Sequence, residues 1–256
     1  MITLQQARNM IGQYLPIEVK KKLKPILPII AQALVDIVNS LNAQKSDEKP
    51  ILIWLVKYNA YSIEYIKNPS ERVQIEAVKY SAHAIKYIKN PSEAVKMEAV
   101  KKFGYAIKYI KNPSEEMQMI AIKQNEYTIQ YIKKPTKRVQ LEAVRQNGLV
   151  IEYIKNPSEK VRLEAVRQNA HAIKYIKNPS EKVQIEAVRQ NAHAIKYIKN
   201  PSEQVKLEAV KKNPFIILYI ENPTEEIQIE AVKRYKDVIH YIKNPTELVK
   251  KMIKIN

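Results

Sequence analysis

The residues of this chain that could do chemistry are lysines, histidines and tyrosines that recur every 22 positions. Lys86, Lys108, Lys174 and Lys196 each stand three places after His83, Tyr105, His171 or His193 and three before Lys89, Lys111, Lys177 or Lys199. Ammonium groups interleaved with rings can hold a phosphate backbone and offer stacking surfaces to bases. Nucleic acid, DNA or RNA, is therefore the expected partner. An acidic protein docked by a scaffold or inhibitor of viral or mobile-element origin is the alternative.

Other chemistries lack the residues they need. There is no cysteine, hence no disulfide or thiolate. Three glycines, Gly12, Gly104 and Gly148, are too few and too scattered for phosphate-cradling loops. His171 and His193 occupy equivalent positions on neighbouring repeats, which pack roughly 8 to 10 Å apart. A metal needs its donors within about 2.1 Å, so no metal site is expected, and no cofactor. No serine, histidine and acid set suggests nucleophilic catalysis. The recurrent glutamates are better explained by a basic residue three places on than as general acids. The chain is expected to bind, not to catalyse.

Charge points the same way. Forty-four Lys and Arg against 26 Asp and Glu give a net charge of +18, which favours anionic partners. The excess is uneven: repeats beginning at residues 69, 91, 135, 157 and 179 carry +2 or +3, and those at 113, 201 and 223 sum to zero. A uniform compositional bias would spread evenly. The start, MITLQQARNMIG, lacks the layout of a secretory signal. The apolar stretch from Leu23 to Leu41 is broken by Lys24, Pro25, Pro28, Gln32, Asp36 and Asn39 and is no membrane span. A soluble, cytoplasmic protein is expected, and membrane attachment through Lys20, Lys21, Lys22 and Lys24 is the weakest expectation.

The elements that position these residues follow from the prolines at 69, 91, 113, 135, 157, 179, 201, 223 and 245, spaced by 22 throughout. Such a period signals a solenoid. With proline as position 1, the repeat Pro179 to Asn200 reads PSEKVQIEAVRQNAHAIKYIKN. Asn at position 22 as N-cap, Pro at N1 and Glu at N3 predict a helix starting at each proline. Asn at position 13, as in Asn59, Asn125, Asn147, Asn169, Asn191 and Asn213, predicts its end in a left-handed residue. Pro214, at position 14, suits the first turn of a second helix and not the interior of a single long one.

At about 100° per residue, Val183, Ile185, Ala187 and Val188 spread apolar surface over a wide arc of the first helix. In the second, Ala194, Ile195 and Ile198 form the buried face and positions 14, 15, 18 and 21 the open one. The expected fold is all-α, a right-handed, HEAT-like α-solenoid of two-helix repeats. Residues 47–256 hold nine repeats and a terminal helix, with Trp54 in the normally charged position 8 of the first. Residues 1–46 do not fit the frame and are expected to cap it with helices near 3–14 and 26–43.

The phrases VRQNAHAIKYIKNPSEKV and KKNPFIILYI resemble leucine-rich repeat variants and the bacterial and viral helical repeats of VRQNGxALKYAS type. The resemblance covers residues 47–256 and implies an architecture of α-helices paired with short second helices. Solenoids of this kind, the HEAT-like DNA glycosylases among them, bind along the face lined by the second helix.

Two further ladders recur. Position 11 is basic in all nine repeats, from Lys57 to Lys233, and position 19 is Tyr in all nine, from Tyr65 to Tyr241. An i,i+3 pair with Glu at position 8 is expected to neutralise the first, and packing at the core border to occupy the second. Finally, Leu248, Met252 and Ile255 make the last helix apolar where interior repeats are polar, so a homo-oligomeric or partner contact is expected there.

Overall fold

The structure, a computed structural model, describes residues 33, 36, 37 and 50–254. The expected cap of residues 1–46 lies outside them, apart from Ala33, Asp36 and Ile37, which are helical. The chain divides into two compact units, Met1–Ala121 and Ile122–Asn256. In the first unit α-helices Pro50–Tyr58, Glu71–Tyr80 and Glu93–Lys102 alternate with 3-10 helices Ala60–Tyr65, Ala82–Tyr87 and Gly104–Tyr109. Helix Glu115–Gln124 runs across the division.

The second unit continues with 3-10 helix Glu126–Tyr131 and then the pairs Lys137–Gln146 with Gly148–Tyr153, and Glu159–Gln168 with Ala170–Tyr175. Glu181–Gln190 with Ala192–Tyr197, Glu203–Lys212 with Pro214–Tyr219, and Glu225–Arg234 with Lys236–Tyr241 follow, before the last α-helix, Glu247–Lys254. No strand occurs among the described residues. Regular helix pairs packed in sequence at a 22-residue period are the arrangement of an α-solenoid.

Three local devices build the repeat, and each corrects the reading of the sequence. The α-helix starts at position 3, not at the proline, because the cap is the hydroxyl of position 2: Ser180 Oγ accepts the N–H of Val183 at 3.3 Å. Ser70, Ser92, Thr136 and Ser202 do the same. The proline carbonyl, left ahead of the helix, accepts from the side chain at position 6, as Gln184 Nε2 donates to Pro179 O at 2.9 Å. Gln228 goes further: it also donates to Asn244 O of the next repeat at 3.3 Å and accepts the N–H of Thr246 at 3.0 Å.

The second device is the asparagine at position 22. It is not a cap but a left-handed turn, with φ of 48° at Asn68, 47° at Asn178 and 52° at Asn200. Asn bears that conformation better than most residues, for which it costs roughly 1 to 2 kcal/mol. The third is the asparagine at position 13, which is extended (φ −145° at Asn191) and not left-handed. Its N–H donates to Ala187 O at 2.9 Å, ending the α-helix. Its side chain accepts the N–H of His193 at 3.0 Å, capping the 3-10 helix. One residue thus serves both helices.

The second helix is a 3-10 helix because its N–H groups reach back three residues, as from Ala194 to Asn191 O at 2.9 Å. Three residues per turn align positions 14 and 17 in one row, so Ala192 and Ile195 are both buried. The wheel of about 100° per residue, suited to an α-helix, had put position 14 on the open face. Position 20, just past the helix, is buried too, at Ile198. Within each unit α-helix packs on α-helix, 3-10 on 3-10, and interior α-helices such as Glu181–Gln190 on the 3-10 helices before and after them. Val183, Ala187 and Val188 are wholly buried there, and Ile185 half-buried. The approach is close at Gly148, where a Cβ would stand 2.3 Å from Ala165 O. No described helix is long and apolar enough to cross a membrane.

Candidate binding face on the 3-10 helices

Positions 15 and 18 form the outward row of the 3-10 helix, and position 21 follows it past the end. In the first unit Lys86, Lys108, Lys89 and Lys111 are exposed, with His83 and Tyr105 half-buried beside them. In the second unit Lys174, Lys196, Lys177, Lys199, His171 and His193 are all exposed. Each unit therefore gathers its share of the basic and ring-bearing residues singled out by spacing.

The rings are engaged with one another. The histidines at position 15 meet edge-on the tyrosine at position 19 of the following repeat: His83 and Tyr109 at 6.2 Å between centroids, His171 and Tyr197 at 5.7 Å, His193 and Tyr219 at 6.0 Å. Lysines at position 18 lie over the tyrosines, Lys86 on Tyr87 at 5.3 Å, Lys108 on Tyr109 at 4.7 Å and Lys174 on Tyr175 at 4.5 Å. Lys196 instead reaches Tyr219 of the next repeat at 3.7 Å. These are cation–π distances. The Tyr175 hydroxyl beside Lys174 holds its ammonium above the usual lysine value. Burial, helped by Glu64 and Tyr87, pushes the Tyr65 phenol up.

The basic ladder of position 11 is spent differently. Arg145 pairs with Glu164 at 2.9 Å, Arg167 with Glu186 at 3.2 Å and Arg189 with Glu208 at 2.7 Å, each across to the following repeat. Pairing inside the helix, which the spacing predicted, is found at Lys79 with Glu76 and Lys211 with Glu208. In a 22-residue repeat, i,i+3 within a helix is also i,i+19 between helices, so spacing alone does not choose. All three arginines make the crossing, and so does Lys57, which reaches Glu76 at 3.6 Å. Arg189, with Lys211 next, holds the Glu208 carboxyl below the usual carboxylate range, and Lys206 does the same for Glu203. By contrast Lys86, Lys89, Lys111, Lys174, Lys177, Lys196 and Lys199 make no ion pair among the described residues.

Sequence reasoning missed the serine at position 2, whose hydroxyl also donates to the glutamate at position 3 of the preceding repeat, Ser92 to Glu71 and Ser180 to Glu159. The Ser or Thr that follows every proline of the 22-residue series, in most repeats with an acid after it, was the available signal. His171 and His193 each lie against the tyrosine of the repeat that follows, Tyr197 and Tyr219. Among the described residues no three or more His, Cys, Asp or Glu gather as metal ligands do. On the last helix Leu248 is 47% exposed while Val249 is buried. Met252 is half-buried, and Ile255 lies outside the described residues. No family model matches this chain, and no curated protein or solved structure matches it either.

Proposed function

We propose that the chain is a non-catalytic, cytoplasmic binding module that holds the sugar-phosphate backbone of nucleic acid along the outward rows of its 3-10 helices. The observation that carries this reading is the contrast between two sets of cations. Most of those of position 11, Lys57, Lys79, Arg145, Arg167, Arg189 and Lys211, pair with glutamates of their own or the next repeat. Those of position 18 stand exposed over tyrosine rings and those of position 21 are exposed beside them, most with no carboxylate in contact. Charge left unneutralised on one face is what a polyanion meets first.

The reading is of backbone and not of sequence, because the four lysine-bearing rungs are nearly identical and the tyrosine faces already carry lysines. In architecture the pairing of an α-helix with a short second helix fits the resemblance to leucine-rich repeat variants. The partly exposed Leu248 and Met252 support a second, homotypic contact through the last helix.

The test is binding of the purified chain, cleared of bound nucleic acid by nuclease and high salt, to duplex DNA, single-stranded DNA and RNA over a range of salt. Binding at low salt that weakens steeply as salt rises is expected. No binding to any of them at low salt overturns the reading and leaves an acidic protein as the partner.

A further inference from the structure

The basic rungs do not run evenly along the chain. In the first unit they are two, His83 with Lys86 and Lys89, then Tyr105 with Lys108 and Lys111. In the second they are again two, His171 with Lys174 and Lys177, then His193 with Lys196 and Lys199. The rung before the first pair carries Glu64 at position 18, and the two rungs between the pairs carry Gln130 and Glu152. The rung after the second pair carries Leu218 and Glu221. Each pair is bounded by rungs that lack the lysine or replace it with an acid.

The pairs are also built alike. In each, the histidine of the first rung touches the tyrosine of the second, His83 with Tyr109 and His171 with Tyr197. In each, a lysine of the first rung lies over its own tyrosine, Lys86 over Tyr87 and Lys174 over Tyr175. The same ring contact also joins Tyr61 to Tyr87 and His193 to Tyr219, so it is the lysine at position 18, present on these four rungs alone, that marks off each pair inside its compact unit. Repeating the same construction in both units gives two equivalent grips.

Resting on the nucleic-acid reading above, we propose that the chain carries two separate anion sites, one in each unit, each taking a short run of phosphates on four lysines. The partner is then held at two points instead of along one track. For a single strand, four phosphates engaged imply a salt slope of about 3 per site. Two modest sites joined in one chain raise the affinity for a long strand through effective concentration.

The experiment is titration of the full chain with an eight-nucleotide oligothymidylate at low salt, with stoichiometry read by calorimetry and native mass spectrometry. The wild type is expected to take two oligonucleotides. Changing Lys174, Lys177, Lys196 and Lys199 to Gln is expected to leave one, and changing all eight lysines to leave none, with unaltered circular dichroism because the lysines are exposed. One oligonucleotide per chain, lost when either set of four is changed, overturns the two-site proposal and keeps the nucleic-acid reading. Two oligonucleotides still bound after all eight changes overturns both.

Discussion

At the scale of single residues, the repeat depends on side chains chosen for one backbone conformation or one hydrogen bond. Asn178, at φ 47°, turns the chain onto Pro179. Glycine takes that conformation freely, so Asn178→Gly is expected to fold as the wild type does, whereas Asn178→Ala loses about 1 kcal/mol. Denaturant unfolding of the two variants checks this, and equal stability contradicts it. Glu208 gives a pH signature. Its carboxyl is more acidic in the folded chain than in the unfolded one, through Arg189 and Lys211. Its contribution to stability is therefore whole above the unfolded pKa and lost as pH falls through the folded one. The stability gap between wild type and Glu208→Gln, measured by urea unfolding, is expected to close as pH falls from about 5 to about 3. A gap that does not move with pH contradicts the assignment.

At the scale of elements, the proline period made the repeats, the helix pairs and most core positions legible in the sequence. Val183, Ala187, Ile195 and Ile198 are buried as their spacing requires. The start of the first helix was displaced because two capping signals, Asn at position 22 and Ser at position 2, lie two residues apart. Only geometry separates a left-handed turn from a cap. The open face was legible at positions 15, 18 and 21 but not at 14, since periodicity over six residues does not distinguish α from 3-10 winding. Which glutamate each arginine chooses was not legible either, because it depends on how closely repeats approach. The last helix, Glu247–Lys254, belongs to this scale too. With Leu248 47% exposed and Met252 half-buried, the wild type is expected to self-associate at high concentration and Leu248→Glu, Met252→Glu to remain monomeric. Light scattering decides: a wild type already monomeric, or a variant of unchanged mass, contradicts it.

At the scale of the whole molecule, stability is a sum over repeats and the interfaces between neighbours. Removing residues 157–178, one full repeat, rejoins equivalent positions and is expected to leave a cooperatively folding, shorter protein. Removing half of it brings an α-helix where a 3-10 helix belongs, and a loss of the folded state is expected; circular dichroism and thermal unfolding compare the two. The same division of labour across repeats underlies the account of function: cations at position 11 of the α-helices pair with glutamates of their own or the next repeat, and those on the 3-10 helices face outward. The measurement that tests this most directly compares two quadruple variants for nucleic-acid binding against salt. Changing Lys86, Lys108, Lys174 and Lys196 to Gln is expected to weaken binding to every sequence alike and to reduce the duplex salt slope by about 0.9 for each phosphate no longer held. Changing Lys79, Arg145, Arg167 and Arg189 to Gln is expected to lower stability and leave the slope in place. A slope that falls with the second set and holds with the first would contradict the account.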